Sequence, residues 1–373
     1  MNVPVNAPLI SAEAKRNVAE AMETGWISSA GKFVEQFEQS FASYLGMKHG
    51  IAVSNGTAAL HVALLAIDIG PDDEVIVPAF TMMSTILAVL YTGAKPVFVD
   101  CELETYNIDV SKIAASITSR TKAILPVHIY GHACEMDELL DLAKAHNLRV
   151  IEDAAEVHGG EYRGKKCGTM AELSCFSFYG NKIVTTGEGG MVLTNDDTLA
   201  HKCRKLKDLY HSDQKRFIHD HVGYNYRLTN VQAAIGCGEI QHIEEYIAKK
   251  QWMADYYGKY LNGIPGLRLP ITKSYVKNVY WMYGVLIDPK QFGIDKDTLR
   301  QRLKAAGVDT RDFFYSPNVQ PVLLERFGQM GHFPNTDYIA ANGLYLPSGL
   351  ALTEEQAQYV CEQVRQAQQA IAA

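Results

Sequence analysis

Three segments that could do chemistry each lie at the end of a short apolar run of the sequence. The segment 54–57 (SNGT) follows one run, Asp153 and Glu156 follow a second, and Ser177 and Lys182 lie at the end of a third. A Gly-Thr step that opens a helix presents free backbone N–H groups to an anion. A carboxylate at the end of a central strand is poorly solvated, so it needs a cation, a metal or a hydrogen-bond donor. A lysine is costly to bury, so one placed between two buried strands indicates a chemical role.

Each of these signals has an ordinary structural alternative. Ser, Asn and Thr are common helix caps, a buried carboxylate can form a salt bridge, and most lysines are solvated. A metal site could use Asp153, Glu156 and His158, but their spacing matches no established metal pattern. The alternatives weaken when the three segments are taken together, because parallel strands would bring all of them to one edge of a sheet.

One cofactor needs all three kinds of group. Pyridoxal 5'-phosphate carries a phosphate, a pyridine nitrogen and an aldehyde. Gly56, Thr57 and Ser177 suit the phosphate, and the carboxylate of Asp153 would raise the pKa of the ring nitrogen. Lys182 suits the aldehyde, because a lysine amine can bond to it covalently and can afterwards act as a general acid and base. The sequence therefore predicts a pyridoxal-phosphate enzyme in which Lys182 and Asp153 are catalytic.

Short strands and helices that alternate along the sequence must position these groups. Between residues 50 and 195, seven apolar runs too short for helices alternate with helical stretches, which predicts a mostly parallel seven-stranded sheet between helices. Such sheets bind ligands at the carboxyl ends of their strands. The predicted strands are 51–53, 74–77, 96–99, 123–127, 149–151, 173–178 and 191–194.

The pattern changes in the last third of the chain, which indicates a second unit. Residues 230–250 are predicted to form one long helix, and residues 279–287 are predicted to form a strand. We therefore expect a large cofactor-binding α/β domain over residues 1–249 and a smaller α+β domain over residues 250–373. The first ~15 residues are expected to pack against the smaller domain.

Composition and charge argue against several classes of protein. The 373 residues are 47% hydrophobic and carry a net charge of -7, which is typical of a globular protein and unfavourable for nucleic-acid binding. No segment has the length of a membrane span, and the N-terminus lacks the apolar core of a signal peptide. The seven cysteines are scattered and form no C-x-x-C motif, so we expect reduced thiols, no metal site and a cytoplasmic location.

Several motifs resemble the sugar-nucleotide aminotransferases of the DegT/StrS kind, which belong to the aspartate aminotransferase superfamily of fold type I. The similarity extends from about residue 6 to the C-terminus. The GDP-perosamine synthases are the most similar group, through TGWISSAGKF, FYGNKI and NVYWMYGVLI. The wider family motifs are SNGTAAL, EVIVPAFT, KPVFVD, PVHIYGHACEMD, VIEDAAEVHGG, FSFYGNKIVTTGEGGMVLTND and GYNYRLTNVQAAIG.

The resemblance assigns further residues to the cofactor site. It implies a homodimer with shared active sites, in which Asn225 contacts the cofactor phosphate of the neighbouring subunit. It implies that Glu156 lies beside the phenolic oxygen of the cofactor. Met82 occupies the position where relatives usually stack an aromatic ring on the pyridine, and a thioether can also pack on a π face.

The resemblance also assigns residues to the substrate. Arg311 matches a position near the sugar nucleotide, and arginine suits a diphosphate. The loop that contains Lys215, Arg216 and His219 matches a segment that closes over the substrate, with a solvated charged loop as the alternative. Asp312 stands where perosamine synthases usually have proline.

The implied reaction moves an amino group from glutamate to C4 of a nucleotide-linked 4-keto-6-deoxy sugar, GDP-4-keto-6-deoxymannose, within lipopolysaccharide O-antigen synthesis. A UDP-linked 4-keto-6-deoxy (N-acetyl) hexose is the alternative substrate. A non-catalytic regulator with the same fold is an alternative of a different class. Lys182 argues against a dehydratase of this family, which has histidine at that position. A nicotinamide-dependent reductase is disfavoured, because no G-x-G-x-x-G follows the first strand.

Overall fold

Helices and strands alternate along the chain in a computed structural model, which describes residues 1–215 and 217–369. Its first part contains α1 (Ala12–Thr24), α2 (Lys32–Leu45), β1 (His49–Val53), α3 (Gly56–Ala66), β2 (Glu74–Pro78), α4 (Met83–Tyr91), β3 (Lys95–Val99), β4 (Thr121–Ile124), α5 (Met136–Ala145), β5 (Arg149–Asp153), β6 (Glu161–Tyr162), β7 (Lys165–Lys166), β8 (Leu173–Ser177), β9 (Gly190–Thr194) and α6 (Asp197–Lys207). Its second part contains α7 (Asn230–Glu239), α8 (Ile243–Leu261), β10 (Leu267–Arg268), β11 (Val276–Lys277), β12 (Tyr283–Ile287), α9 (Pro289–Phe292), α10 (Lys296–Ala305), β13 (Arg311–Asp312), α11 (Pro321–Phe327), α12 (Pro334–Asn342), β14 (Gly343–Leu346) and α13 (Glu354–Gln369).

A seven-stranded sheet with the strand order β1-β9-β8-β5-β4-β2-β3 forms the centre of the first part of the chain. β8, β5, β4, β2 and β3 run parallel to one another, whereas β9 is antiparallel to both of its neighbours. The seven predicted strands and their mostly parallel arrangement are therefore confirmed. β2 and β9 are buried along their whole length, which explains why such strands are continuous apolar runs without alternation.

The predicted long helix over residues 230–250 is wrong in one respect. The structure has two helices there, α7 and α8, separated by the 3₁₀ turn Ile240–His242. α7 begins with a capping box, in which the side chain of Thr229 accepts from the N–H of Gln232 and the side chain of Gln232 accepts from the N–H of Thr229. The turn itself contains neither glycine nor proline, so the apolar pattern continues through it without a visible break.

A four-stranded antiparallel sheet with the order β10-β12-β14-β13 forms the C-terminal part of the chain. α8, α10 and α13 contribute buried side chains to the core on this sheet, among them Tyr257, Leu303 and Val360. The strand predicted over 279–287 begins only at Tyr283. Residues 279–282 approach the sheet without joining it, and they bring Trp281 to Asn181, which precedes β9.

The N-terminal segment packs against the C-terminal sheet, as expected for its first residues. Val3 pairs with Val308, and the N–H of Ser348 donates to the carbonyl of Val5. α1, in contrast, packs against α7. Of the helices in the described parts of the chain, none combines the length and the apolar character that a membrane span requires.

Candidate active site

A cavity of about 720 Å³ lies where β1, β5 and β8 end. The three segments that the sequence analysis singled out meet in its wall, because the strands carry them to the same edge of the sheet. Residues from both the first and the second part of the chain line the cavity. The predicted site residues that line it are Gly56, Thr57, Met82, Asp153, Glu156, Ser177, Lys182 and Arg311.

The turn between β1 and α3 forms an anion-binding end of this cavity. The side chain of Asn55 caps α3 by accepting from the N–H of Ala58, which leaves the N–H groups of Gly56 and Thr57 for a ligand. A Cβ atom on Gly56 would lie 2.7 Å from the Cβ of Ser177. Only glycine therefore allows the end of β8 to approach this turn so closely.

The carboxyl group of Asp153 is buried at the end of β5. Its Oδ2 accepts from the hydroxyl of Thr85 at 2.9 Å, and its Oδ1 accepts from the N–H of Ala155 at 3.2 Å. Burial raises the pKa of Asp153, although both hydrogen bonds oppose that shift. A positive charge placed beside this carboxyl would therefore be stabilised, and a protonated pyridine nitrogen carries such a charge.

Glu156 is a second buried carboxyl group in the same wall. Its Oε2 accepts from the backbone N–H of Tyr130 at 2.8 Å. Tyr130 has a φ of 54°, a left-handed conformation that is rare for a tyrosine, and its ring packs against those of Phe313 and Trp281. Burial raises the pKa of Glu156, and the nearby charge of Lys182 opposes that shift.

The amine of Lys182 lies against an indole ring. Its Nζ is 3.4 Å from the ring centroid of Trp281, and the Nε1 of Trp281 donates to the carbonyl of Asn181 at 2.9 Å. Lys182 borders the cavity, but the surrounding protein atoms solvate it poorly. Burial therefore lowers its pKa, although the neighbouring carboxyl groups of Glu156 and Asp153 oppose the shift. A larger neutral fraction makes the amine a better nucleophile towards an aldehyde.

His158, which the metal alternative required, has a different environment. Its Nδ1 accepts from the N–H of Val184 at 3.3 Å, and its ring stacks on that of Phe176. Burial lowers the pKa of His158 to about 3, so the ring is neutral. Across the described ranges, no group of three or more His, Cys, Asp or Glu side chains is arranged to hold a metal ion.

Three predicted residues do not line this cavity. Asn225 is exposed and its Oδ1 accepts from Arg227 at 2.5 Å. Lys215 is exposed, and His219 is exposed with its Nδ1 donating to the carbonyl of Leu209 at 2.7 Å. Arg216, the remaining predicted residue of this loop, lies outside the described residues. These assignments remain predictions that require a second subunit.

The sequence analysis missed Thr85 and Trp281. Thr85 had a usable signal, because it lies in the first turn of α4, shortly after the carboxyl end of β2, and its hydroxyl lies 3.0 Å from that of Thr81. Trp281 had no such signal, since it comes from a different part of the chain and bonds to a carbonyl 100 residues away.

These residues fit pyridoxal phosphate. The free N–H groups at Gly56 and Thr57 suit a phosphate, the buried Asp153 suits a cationic ring nitrogen, and the poorly solvated Lys182 suits an aldehyde. Met82 borders the same cavity with half of its surface exposed, so a ring can pack against its thioether.

Comparison with known proteins identifies the family. The sequence model of the DegT/DnrJ/EryC1/StrS aminotransferase family matches residues 8–365. The chain belongs to this family. It is 40% identical over 364 residues to the GDP-perosamine synthase of Escherichia coli O157:H7, with 98% of each chain covered. It is 43% identical over 361 residues to the GDP-perosamine synthase of Caulobacter vibrioides, with 94% of each covered.

A solved structure supports the same conclusion for this DegT/StrS-type aminotransferase. S. venezuelae DesV in complex with a ketimine intermediate is 34% identical, has a TM-score of 0.90, and is covered over 99% of its length by 97% of this chain. The protein is therefore a pyridoxal-phosphate-dependent aminotransferase. The predicted fold class, activity and cofactor are confirmed.

Proposed function

We propose that this aminotransferase moves an amino group from glutamate to C4 of GDP-4-keto-6-deoxymannose, and so acts as a GDP-perosamine synthase. The observation that carries the proposal is the similarity, over at least 94% of the chain, to two enzymes of that name. The cavity supports it, because Lys182, Asp153 and Arg311 line the same space.

Pyridoxal phosphate would take up the amino group from the donor and release it to the acceptor sugar. The N–H groups of Gly56 and Thr57 and the hydroxyl of Ser177 would bind the phosphate. Asp153 would keep the ring nitrogen protonated, and Glu156 would lie beside the phenolic oxygen. Each carboxyl group is already held by a hydrogen-bond donor of the protein.

Lys182 would hold the cofactor covalently in the resting enzyme. Once the amino donor displaces it, the freed amine would move a proton between the α-carbon of the donor and the aldehyde carbon of the cofactor. Because burial lowers its pKa, the amine can both accept and donate a proton near neutral pH. The indole of Trp281, 3.4 Å from the amine, would exclude water from that side.

Arg311 would bind the diphosphate of the sugar nucleotide. It lies at the boundary between the cofactor cavity and a neighbouring cavity of about 420 Å³. Lys296 and Arg300 are both paired with Asp312, at 3.2 Å and 2.7 Å. Arg311 forms no ion pair within the described part of the chain, so its guanidinium is available to an anion.

A homodimer belongs to the same proposal, with Asn225 and the loop of Lys215, Arg216 and His219 contributing to the site of the other subunit. The exposed large apolar side chains, which a second subunit could cover, include Met22, Trp26, Ile27, Ile218 and Val222. Glutamate as the donor, a cytoplasmic location and lipopolysaccharide O-antigen synthesis are further parts of the proposal.

A coupled assay would test the proposal by comparing GDP- and UDP-linked 4-keto-6-deoxyhexoses with glutamate as the donor. We expect turnover with the GDP-linked sugar, and a clear preference for the UDP-linked sugar would contradict the proposed substrate. No turnover with either sugar would support the non-catalytic alternative.

Borohydride should fix the cofactor on the wild-type protein and fail to fix it on Lys182→Ala.

A further inference from the structure

Lys250 is a buried lysine to which the proposed mechanism gives no role. It lies in α8 with only 2% of its surface exposed. Its Nζ donates to the carbonyl of Trp281 at 2.9 Å and to the carbonyl of Ser348. Burial lowers its pKa to about 7, and no neighbouring ionisable group among the described residues offsets that shift. A buried amine without a carboxylate partner is unfavourable, so a requirement other than ion pairing must retain it.

Trp281 connects Lys250 to the catalytic lysine. Lys250 holds the backbone carbonyl of Trp281, while the indole Nε1 of the same residue donates to the carbonyl of Asn181. The indole ring also contacts the amine of Lys182. Trp281 precedes β12 and belongs to no strand, so the ladder of the small sheet does not fix its position.

Ser348 provides a firm second anchor for Lys250. Its hydroxyl accepts from the N–H of Tyr283 at 3.0 Å and donates to the carbonyl of Leu346 at 2.6 Å. Its own N–H donates to the carbonyl of Val5 at 2.8 Å. Lys250 therefore ties the segment before β12, which belongs to no strand, to a segment whose neighbours hold it on both sides.

We propose that Lys250 is a positioning residue of the active site, which binds the carbonyl groups of Trp281 and Ser348 and thereby holds the Trp281 indole against the amine of Lys182. The consequence for catalysis rests on the proposed role of Lys182. The placement of the indole does not, and it can be measured without cofactor or substrate.

Fluorescence of the cofactor-free protein tests the placement directly. The chain has three tryptophans, so Trp26→Phe with Trp252→Phe leaves only Trp281. In this background Lys250→Met, which is similar in length but has no donor, should shift the emission of Trp281 to longer wavelength and raise its acrylamide quenching constant. Lys249→Met is the matched control, because the Nζ of Lys249 lies 4.1 Å from the Trp252 ring and not near Trp281.

The holoenzyme provides a second readout. Lys250→Met should shift the pH at which the visible absorbance of the bound cofactor changes, and should lower kcat about ten- to a hundredfold with little change in KM for glutamate. Lys250→Arg, which keeps cationic donors, should restore most of both properties. Lys249→Met should leave both unchanged.

Identical emission and quenching of Trp281 in Lys250→Met and Lys249→Met would overturn the positioning role. If the emission shifts as expected but the wild type turns over neither sugar nucleotide, the positioning role stands and the proposed substrate fails. If Lys250→Met does not fold, Lys250→Gln takes its place. The glutamine side chain is one bond shorter than lysine and reaches the two carbonyl groups less well, so the same change in Trp281 emission and quenching is expected, and its absence would again overturn the positioning role.

Discussion

Replacing Thr85 with valine tests how the buried carboxyl group of Asp153 is stabilised. The Thr85 hydroxyl donates to Asp153 at 2.9 Å, and both side chains are buried, so water does not screen the contact. A hydrogen bond to a charged group contributes about 1.5–3 kcal/mol. That free energy corresponds to a factor of about 10 to 150 in an equilibrium constant.

We expect Thr85→Val to weaken the affinity for pyridoxal phosphate by about tenfold or more, because the ionised carboxylate loses a donor and the pKa of Asp153 rises further. A parallel loss is expected in kcat/KM. Affinity would be measured by titrating the cofactor-free protein with pyridoxal phosphate and following the visible absorbance. Thr85→Ser keeps the hydroxyl and should bind the cofactor almost as tightly as the wild type.

Thr92→Val is the matched control for this prediction. Thr92 is also buried and lies at the C-terminal end of the same helix, but its hydroxyl donates to the carbonyl of Val89 at 2.7 Å, away from the cavity. Equal cofactor affinity in Thr85→Val and Thr92→Val would refute the reasoning. It would mean that loss of the hydrogen bond to Asp153 has no effect on cofactor binding.

Three further predictions concern the anion-binding turn between β1 and α3 and the buried ionisable groups. Gly56→Ala should raise the dissociation constant of pyridoxal phosphate about tenfold, since its Cβ would press on the end of β8, whereas Gly70→Ala, which has open space around it, should not. Cofactor-free Asp153→Asn should be more stable than the wild type by about 1 kcal/mol near pH 7 in urea unfolding. Because burial raises the pKa of the wild-type carboxyl group, that advantage should vanish in acid, and an advantage independent of pH would show that the buried charge is not its source. Lys250 has a folded pKa of about 7 and an unfolded pKa of about 10.4, so wild-type stability should rise relative to Lys250→Met between these values; a constant difference would show that the amine is not desolvated.

The central sheet could be predicted because its strands are buried on both faces. A run such as 74–77 is apolar at nearly every position and too short for a helix, so it admits few other interpretations. The candidate site residues could be located for the same reason, since Asp153 is the last residue of β5 and Ser177 is the last residue of β8. Residues that follow parallel strands lie at the same edge of the sheet, so their positions in the sequence predict that they are close in space.

The residues that complete the site could not be found in this way. Trp281 reaches Lys182 from a segment outside any strand, and its position depends on contacts with α8 and with the loop after β14. Tyr130 supplies a backbone N–H rather than a side chain, so its residue type carries no signal for that role. The break between α7 and α8 also leaves no mark, because Ile240–His242 continues the apolar pattern.

The position of β9 has a consequence for how the enzyme is made. This strand follows Lys182 in sequence, yet it inserts between β1 and β8, pairing His49 with Thr194 and Ser177 with Gly190. The chain must therefore be synthesised beyond residue 194 before the ends of β1 and β8 can be held side by side. A nascent chain that stalls earlier lacks the complete cavity. Because such distant pairings form slowly, pyridoxal phosphate should bind after β9 has been synthesised and should not guide the folding of the sheet.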